Sequence, residues 1–355
     1  MPACASLKFG RLKLFGLASA ILLVCLFSVF SNRQAQAKAD LNPSEPLLVY
    51  TALTATTAQL PLFEAFRAGW PGSDRRIIVE YWKNLDDLRS LVLAGKGDIW
   101  VGHLEGLARA STRGAPVTLV AATVWQKFFF VSAPLPLNPG APDRLAESTE
   151  ELLDFVLKNG EVIGSAPQNG PCTNLLKALG EPDLTIETMA PQQLILELTQ
   201  GTRRVGLLPE PVATAAKAKV PSLKIIGSLE AEYSRRLGGP ALIPQAGVAV
   251  NLELAQREPA LVAKLVELIE EGAINLAALE PGQAALRLPK ETIEAVGQEI
   301  LTLSLAAEPI IAKSAASCQS EIEDFLKIAA PDLYEPSSPH IPDSFFFKAP
   351  SAPVD

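Results

Sequence analysis

One pattern occurs twice in this chain, about a hundred residues apart, and it constrains the fold more than any other feature. The first copy is RSLVLAGKGDIWVGHLEGLARA, Arg89 to Ala110, and the second is LILELTQGTRRVGLLPEPVATAA, Leu194 to Ala216. Each reads as the end of an apolar helix, a glycine (Gly95, Gly201), a short charged turn and a short strand. A polar tip follows, His103 to Glu105 in one copy and Pro209 to Pro211 in the other, and then an alanine-rich helix. Glycine at a helix end suits a left-handed C-cap. A strand that runs into a loop and a helix start is where α/β sheets place ligands. Two copies predict two similar lobes, each aiming a strand end at a shared cleft.

The N-terminus sets the compartment. Lys8, Arg11 and Lys13 precede an uncharged stretch from Leu14 to Asn32, and Ala35-Gln36-Ala37 follows. A basic start, an apolar run and a small-x-small site read as a cleaved signal peptide over residues 1–37. The alternative is an uncleaved anchor, since 19 uncharged residues can span a bilayer. Cleavage predicts a periplasmic, or otherwise extracytoplasmic, mature protein. It would carry 27 basic against 39 acidic residues, a formal charge of −12. That charge argues against a nucleic-acid partner. The size suits two lobes of ordinary domain dimensions.

Strand and helix patterns alternate along the rest. Leu47 to Tyr50, Ile77 to Trp82 and Ile99 to Val101 read as strands, with helices around residues 60–68, 84–94 and 104–111. This order predicts α/β lobes with mainly parallel sheets. Four prolines between Pro134 and Pro142 mark a boundary, and Gly238-Gly239-Pro240 lies near another. From Glu335 the chain is proline-rich, with an aromatic cluster at Phe345-Phe346-Phe347. In the mature chain Cys172 and Cys318 either form one disulfide or are buried thiols. No zinc-ligand spacing is present, and no cofactor or metal is expected.

These residues resemble the type II solute-binding proteins of ABC transporters, in the group that takes sulfonates, taurine and thiamine precursors (NMT1-like, or SsuA/THI-like). The segments that carry the resemblance are GKGDIWVGHLEGLARASTRGAPVTLVAA, IGSAPQNGPCTNLLKALG, LTQGTRRVGLLPEPVA and the helix after AVNLELAQREPALVAKLVELIEEG. The loop LTATTAQLP departs from the family, because it lacks the glycine-rich turn many relatives carry after the first strand. The resemblance implies a periplasmic binding protein type II fold: two α/β lobes joined by two crossing strands, with one ligand between them. It places lobe one at about residues 46–132 and 244–330, lobe two at 133–243, and a tail at 331–355. It further implies a monomer that captures a small-molecule ligand and delivers it to an ABC permease in the membrane.

The ligand-binding candidates lie at predicted strand ends. Thr54, Thr56 and Thr57 sit between the first strand and a helix, where hydroxyls and free N–H groups suit an anion or simply cap the helix. Gln168, Asn169 and Thr173 form the matching loop of the second lobe, either a contact or a solvated turn. Trp82 ends the second strand and either walls the cleft or packs in the core. His103 follows the third strand, where a capping or packed histidine is expected rather than a metal ligand. Glu210, between two prolines, matches the family's glutamate-proline element and reads as a ligand contact or an ion-pair partner. These residues offer no nucleophile motif, metal cluster or phosphate loop, which leaves an enzyme on this fold as the alternative to capture. An exported sensor is a third reading.

Overall fold

The computed structural model describes residues 45–137, 142–168, 170–179, 183–240 and 242–350. The signal-peptide expectation, residues 1–37, lies outside the described residues. The body from Leu47 onward contains two sheets.

The first sheet has the order β11-β4-β10-β3-β1-β2. Its strands are β1 (Leu47–Ala52), β2 (Ile77–Trp82), β3 (Ile99–His103), β4 (Val117–Val124), β10 (Ala246–Asn251) and β11 (Lys313–Ser314). The second has the order β7-β6-β8-β5-β9. It is built from β5 (Phe128–Ser132), β6 (Val162–Ser165), β7 (Thr185–Thr188), β8 (Val205–Pro209) and β9 (Lys224–Ser228). Pairing is parallel around β1 and β6. It is antiparallel where β10, β11 and β5 join. Both sheets are therefore mixed rather than mainly parallel. The cause is local: β5 and β10 are the strands that lead out of the crossings, and each runs against its neighbours.

The duplicated pattern is one structural unit used twice. In the first copy α2 (Leu85–Leu93) ends near Gly95, φ +63°, and leads through β3 into α3 (Leu104–Thr112). In the second, α6 (Pro191–Gln200) ends on Gly201, φ +70°, and leads through β8 into α7 (Val212–Lys219). Such angles cost a residue with a Cβ but not glycine. Asn84 caps α2 by accepting the Asp87 N–H at 2.9 Å.

Side chains alternate across the first sheet. Ile99 and Val101 of β3 pack with Leu62, Ala65, Val262 and Ile269, from α1 (Leu60–Arg67) and α10 (Pro259–Ala277), while Trp100 enters the core on the opposite face. Leu60 and Leu276 meet a satellite group from α11 (Pro281–Ala285) and α13 (Gln298–Ala307). In the second sheet Phe129 and Val131 pack with Leu194, Leu198, Ala213 and Ala216.

The chain changes sheets between β4 and β5, at Trp125 to Lys127, and returns before β10. The first change lies upstream of Pro134 to Pro142, so β5 joins the second sheet rather than the first. Trp125 is core, with its ring 4.3 Å from the Lys313 ammonium. One carboxylate links both crossings. Glu230, in the first turn of α8 (Leu229–Leu237), accepts the N–H groups of Lys127 (2.8 Å) and Phe128 (3.2 Å) and a hydrogen bond from the Gln245 amide. Burial pushes its carboxyl up to about 7.

The proline-rich end is not a loose appendage. Phe345 and Phe346 are buried, and the Phe347 N–H donates to the Leu119 carbonyl at 2.9 Å. Arg109 pairs with Asp332, one contact being 2.7 Å. Cys172 and Cys318 are free buried thiols rather than a disulfide.

Three outcomes follow from this packing. A Cβ on Gly247 would lie 2.1 Å from the Ala121 carbonyl oxygen across the β10–β4 pair. Gly247→Ala should therefore cost about 3 kcal/mol in urea unfolding, the upper end of overpacking costs. A thiol reagent should modify neither Cys172 nor Cys318 in the native mature protein and both in denaturant. For Glu230 the folded pKa lies above the unfolded one, so its stabilisation is present below about pH 4.5 and lost as pH rises through 7. Glu230→Gln removes that loss. Urea melts should show the variant gaining on wild type by on the order of 2–3 kcal/mol between pH 4.5 and 8. An equal gap at both pH values would contradict this.

Candidate functional site

Strand ends from both sheets meet at the crossings and enclose a cavity of about 140 Å³. The register explains why. Ala52 and Trp82 are Cα partners at the ends of β1 and β2, and His103 at the end of β3 pairs with Ala246. From the second sheet, Phe128 pairs with Pro209, and the Glu210 N–H donates to the Lys127 carbonyl at 3.0 Å. The walls are mostly apolar, including Ala55, Ala58, Val124, Phe128 and Val212, with a few polar groups among them. That composition is usual for a small-molecule site.

The expected residues divide among several places. Thr54, Trp82, His103 and Glu210 line the cavity. The Trp82 indole N–H donates to the Val101 carbonyl at 3.1 Å, which fixes the ring as a wall. Thr56 and Thr57 do not line it. They are buried, and their hydroxyls donate to the Glu308 carboxylate at 3.2 and 2.5 Å. Gln168 is exposed, while its neighbour Pro167 reaches the cavity instead. Asn169 lies outside the described residues. Thr173 lines a second, larger cavity of about 430 Å³, beside Arg89, Glu105, Arg109 and Asn174. There Arg89 pairs with Glu105 at 3.0 Å.

Burial decides the charge states in the smaller cavity. It pushes the His103 imidazole down to about 4, with the nearby Lys127 and Arg89 charges adding to the effect. His103 is therefore neutral near pH 7. Its Nδ1 is buried without a hydrogen-bond partner among the described residues. Burial also raises the Glu210 carboxyl, and the Glu308 charge raises it further. Opposing them, the Thr214 hydroxyl and N–H donate to Glu210 at 2.9 and 3.3 Å. Lys127 is the cavity's cation, and its ammonium is already engaged with Glu308 at 2.8 Å and Thr56 at 3.1 Å.

Lys127, Gln245, Glu230 and Glu308 were not among the sequence candidates. Lys127 had a signal, as a lone charge inside the apolar run Val117 to Val131. Glu230 looks like an ordinary first-turn acid, and Glu308 follows a helix with no local feature that sets it apart. Among the described residues no group of three or more His, Cys, Asp or Glu side chains is placed to hold a metal ion.

No protein-family model matches the chain, and no curated protein matches it. Solved structures do. The ligand-binding component of an ABC-type import system from Staphylococcus aureus superposes with a TM-score of 0.61 at 13% identity, covering 87% of this chain and 100% of that one. The periplasmic aliphatic sulphonate binding protein SsuA from Escherichia coli gives 0.59 at 13% identity, covering 88% and 94%. The periplasmic nitrate-binding protein NrtA from Synechocystis PCC 6803 gives 0.60 at 13% identity, covering 82% and 83%. The chain has the two-lobed α/β fold of these binding proteins.

Proposed function

We propose that this chain is the extracytoplasmic solute-binding component of an ABC importer. It captures a small polar organic ligand between its lobes and presents it to a membrane permease. One observation carries the reading: the cavity of about 140 Å³ is walled jointly by strand ends of both sheets and by the crossings. A ligand there touches both lobes, so it stabilises whichever arrangement brings them together. The volume suits a compact solute, since a cavity near 150 Å³ accommodates a benzene-sized molecule. Trp82 and Phe128 supply apolar surface, while Glu210 and neutral His103 fix orientation. The fold neighbours are transport proteins by their names, which supports the same reading.

Binding rather than catalysis fits the chemistry. Among the described residues, no hydroxyl or thiol is hydrogen-bonded to His103, and Glu210 is occupied by Thr214. The described helices include none long and apolar enough to cross a membrane. Export rests on the N-terminal sequence, with the mature chain starting near Lys38 and acting in the periplasm as a monomer.

Native mass spectrometry of protein purified from its own host should find one small molecule bound per chain. Recovery of ligand-free protein that no host metabolite extract stabilises would sink the proposal. With the ligand in hand, Glu210→Gln should weaken binding by ~1.5–3 kcal/mol in calorimetry, the range for a charged hydrogen bond. Apo stability should change much less. Unchanged affinity with a large apo loss would make Glu210 a structural group.

A further inference from the structure

The loop that enters α1 has what an oxyanion site needs. Thr56 and Thr57 offer hydroxyl donors, the Lys127 ammonium sits beside them, and the first turn of α1 follows directly. Helix starts of this kind favour negative charge. In this chain the place is taken. The Glu308 side chain, fully buried, comes from the end of α13, some 250 residues away in sequence. Its Oε2 accepts from Thr57 at 2.5 Å and from Thr56 at 3.2 Å, and its Oε1 accepts from Lys127 at 2.8 Å.

We propose that Glu308 is a resident anion that fills the subsite formed by Thr56, Thr57 and Lys127, and that it limits the cleft to ligands without negative charge. Lys127 is the cation lining the cavity, and Glu308 neutralises it at contact distance. Glu210 then contributes a further carboxylate, and His103 is uncharged near pH 7. An oxyanion entering this cavity would face Glu210 with, among the described residues that line it, no cation free to offset it. In a buried setting that repulsion is weakly screened. A neutral or cationic molecule that presents an N–H donor to Glu210 meets no such penalty. The ligand class rests on the proposed capture function, whereas the resident-anion claim does not.

The test uses chemical rescue. Glu308→Ala leaves a carboxylate-sized gap beside two hydroxyls and an ammonium. Sodium acetate should refill it, and thermal melts should rise by roughly 3 °C or more over sodium chloride at equal ionic strength. Wild type should show no difference between the two salts. A Glu308→Ala protein that responds alike to acetate and chloride overturns the resident-anion claim. Where that variant is too unstable to purify, wild type alone decides the point by calorimetry with sodium sulfate and sodium methanesulfonate. Absence of binding at millimolar concentration is expected, and saturable binding of either anion overturns the proposal. Because acetate rescue needs no natural ligand, it separates failure of this inference from failure of the transport reading.

Discussion

The contact on which the arrangement depends is the Glu230 carboxylate, buried where the two sheets join. It holds Lys127 and Phe128 on one crossing and Gln245 on the other. Those three residues place the cavity walls. The Lys127 carbonyl accepts the N–H of Glu210, and the Gln245 carbonyl accepts the N–H of Leu104, next to His103. A buried charge is costly unless its lone pairs are used. Here two backbone N–H groups and an amide all donate to Oε1, and the start of α8 adds a favourable dipole. Oε2 is buried without a hydrogen-bond partner among the described residues, in keeping with a carboxyl pushed up to about 7. Lobe connection and site geometry therefore share one group.

Burial at the same junction shifts two titrations in opposite senses. Glu230 is pushed up to about 7 and His103 down to about 4. The stabilisation from Glu230 is lost as pH rises from about 4.5 through 7. For His103 the neutral form is the folded one, so stability is lost as pH falls from about 6.5 toward 4. The windows overlap and the slopes oppose, so the intact protein should depend on pH less than either group would dictate. Near neutrality the cavity keeps an uncharged imidazole beside a carboxylate, an arrangement that suits a donor-bearing ligand.

Much of the fold was legible because it rests on local rules. Gly95 and Gly201 announce left-handed helix ends, and the short strands after them are bounded by clear turns. That put His103 and Glu210 at strand ends, where the structure also has them. What sequence could not give was set by distant partners. Thr56 and Thr57 read as open donors because Glu308 is some 250 residues away. Their hydroxyls donate to a carboxylate that belongs to the chain itself. Thr173 faces the other cavity because α5 (Cys172–Lys177) packs toward α14 (Gln319–Ala329), a tertiary contact with no local trace. The proline cluster suggested a change of sheet after residue 132, whereas the chain crosses earlier, in the apolar run from β4 into β5.

The C-terminal aromatics follow from an exposed-edge problem. In the first sheet β4 is next to last, and the edge strand β11 covers only Ala121 and Ala122 of it. An uncovered strand edge invites pairing with other chains. The chain covers the remainder itself. The Ala315 N–H donates to Val120, and the Phe347 N–H donates to Leu119. Phe346 forms a bridge at Leu119, and the Thr118 hydroxyl reaches the Phe345 carbonyl at 3.4 Å. Prolines suit such a strap, because a residue with no N–H loses nothing on an edge. Phe345 then enters the core beneath it. The segment read from the sequence as a proline-rich tail thus covers the edge of the strand that feeds the first crossing, and so supports the same junction from its outer edge.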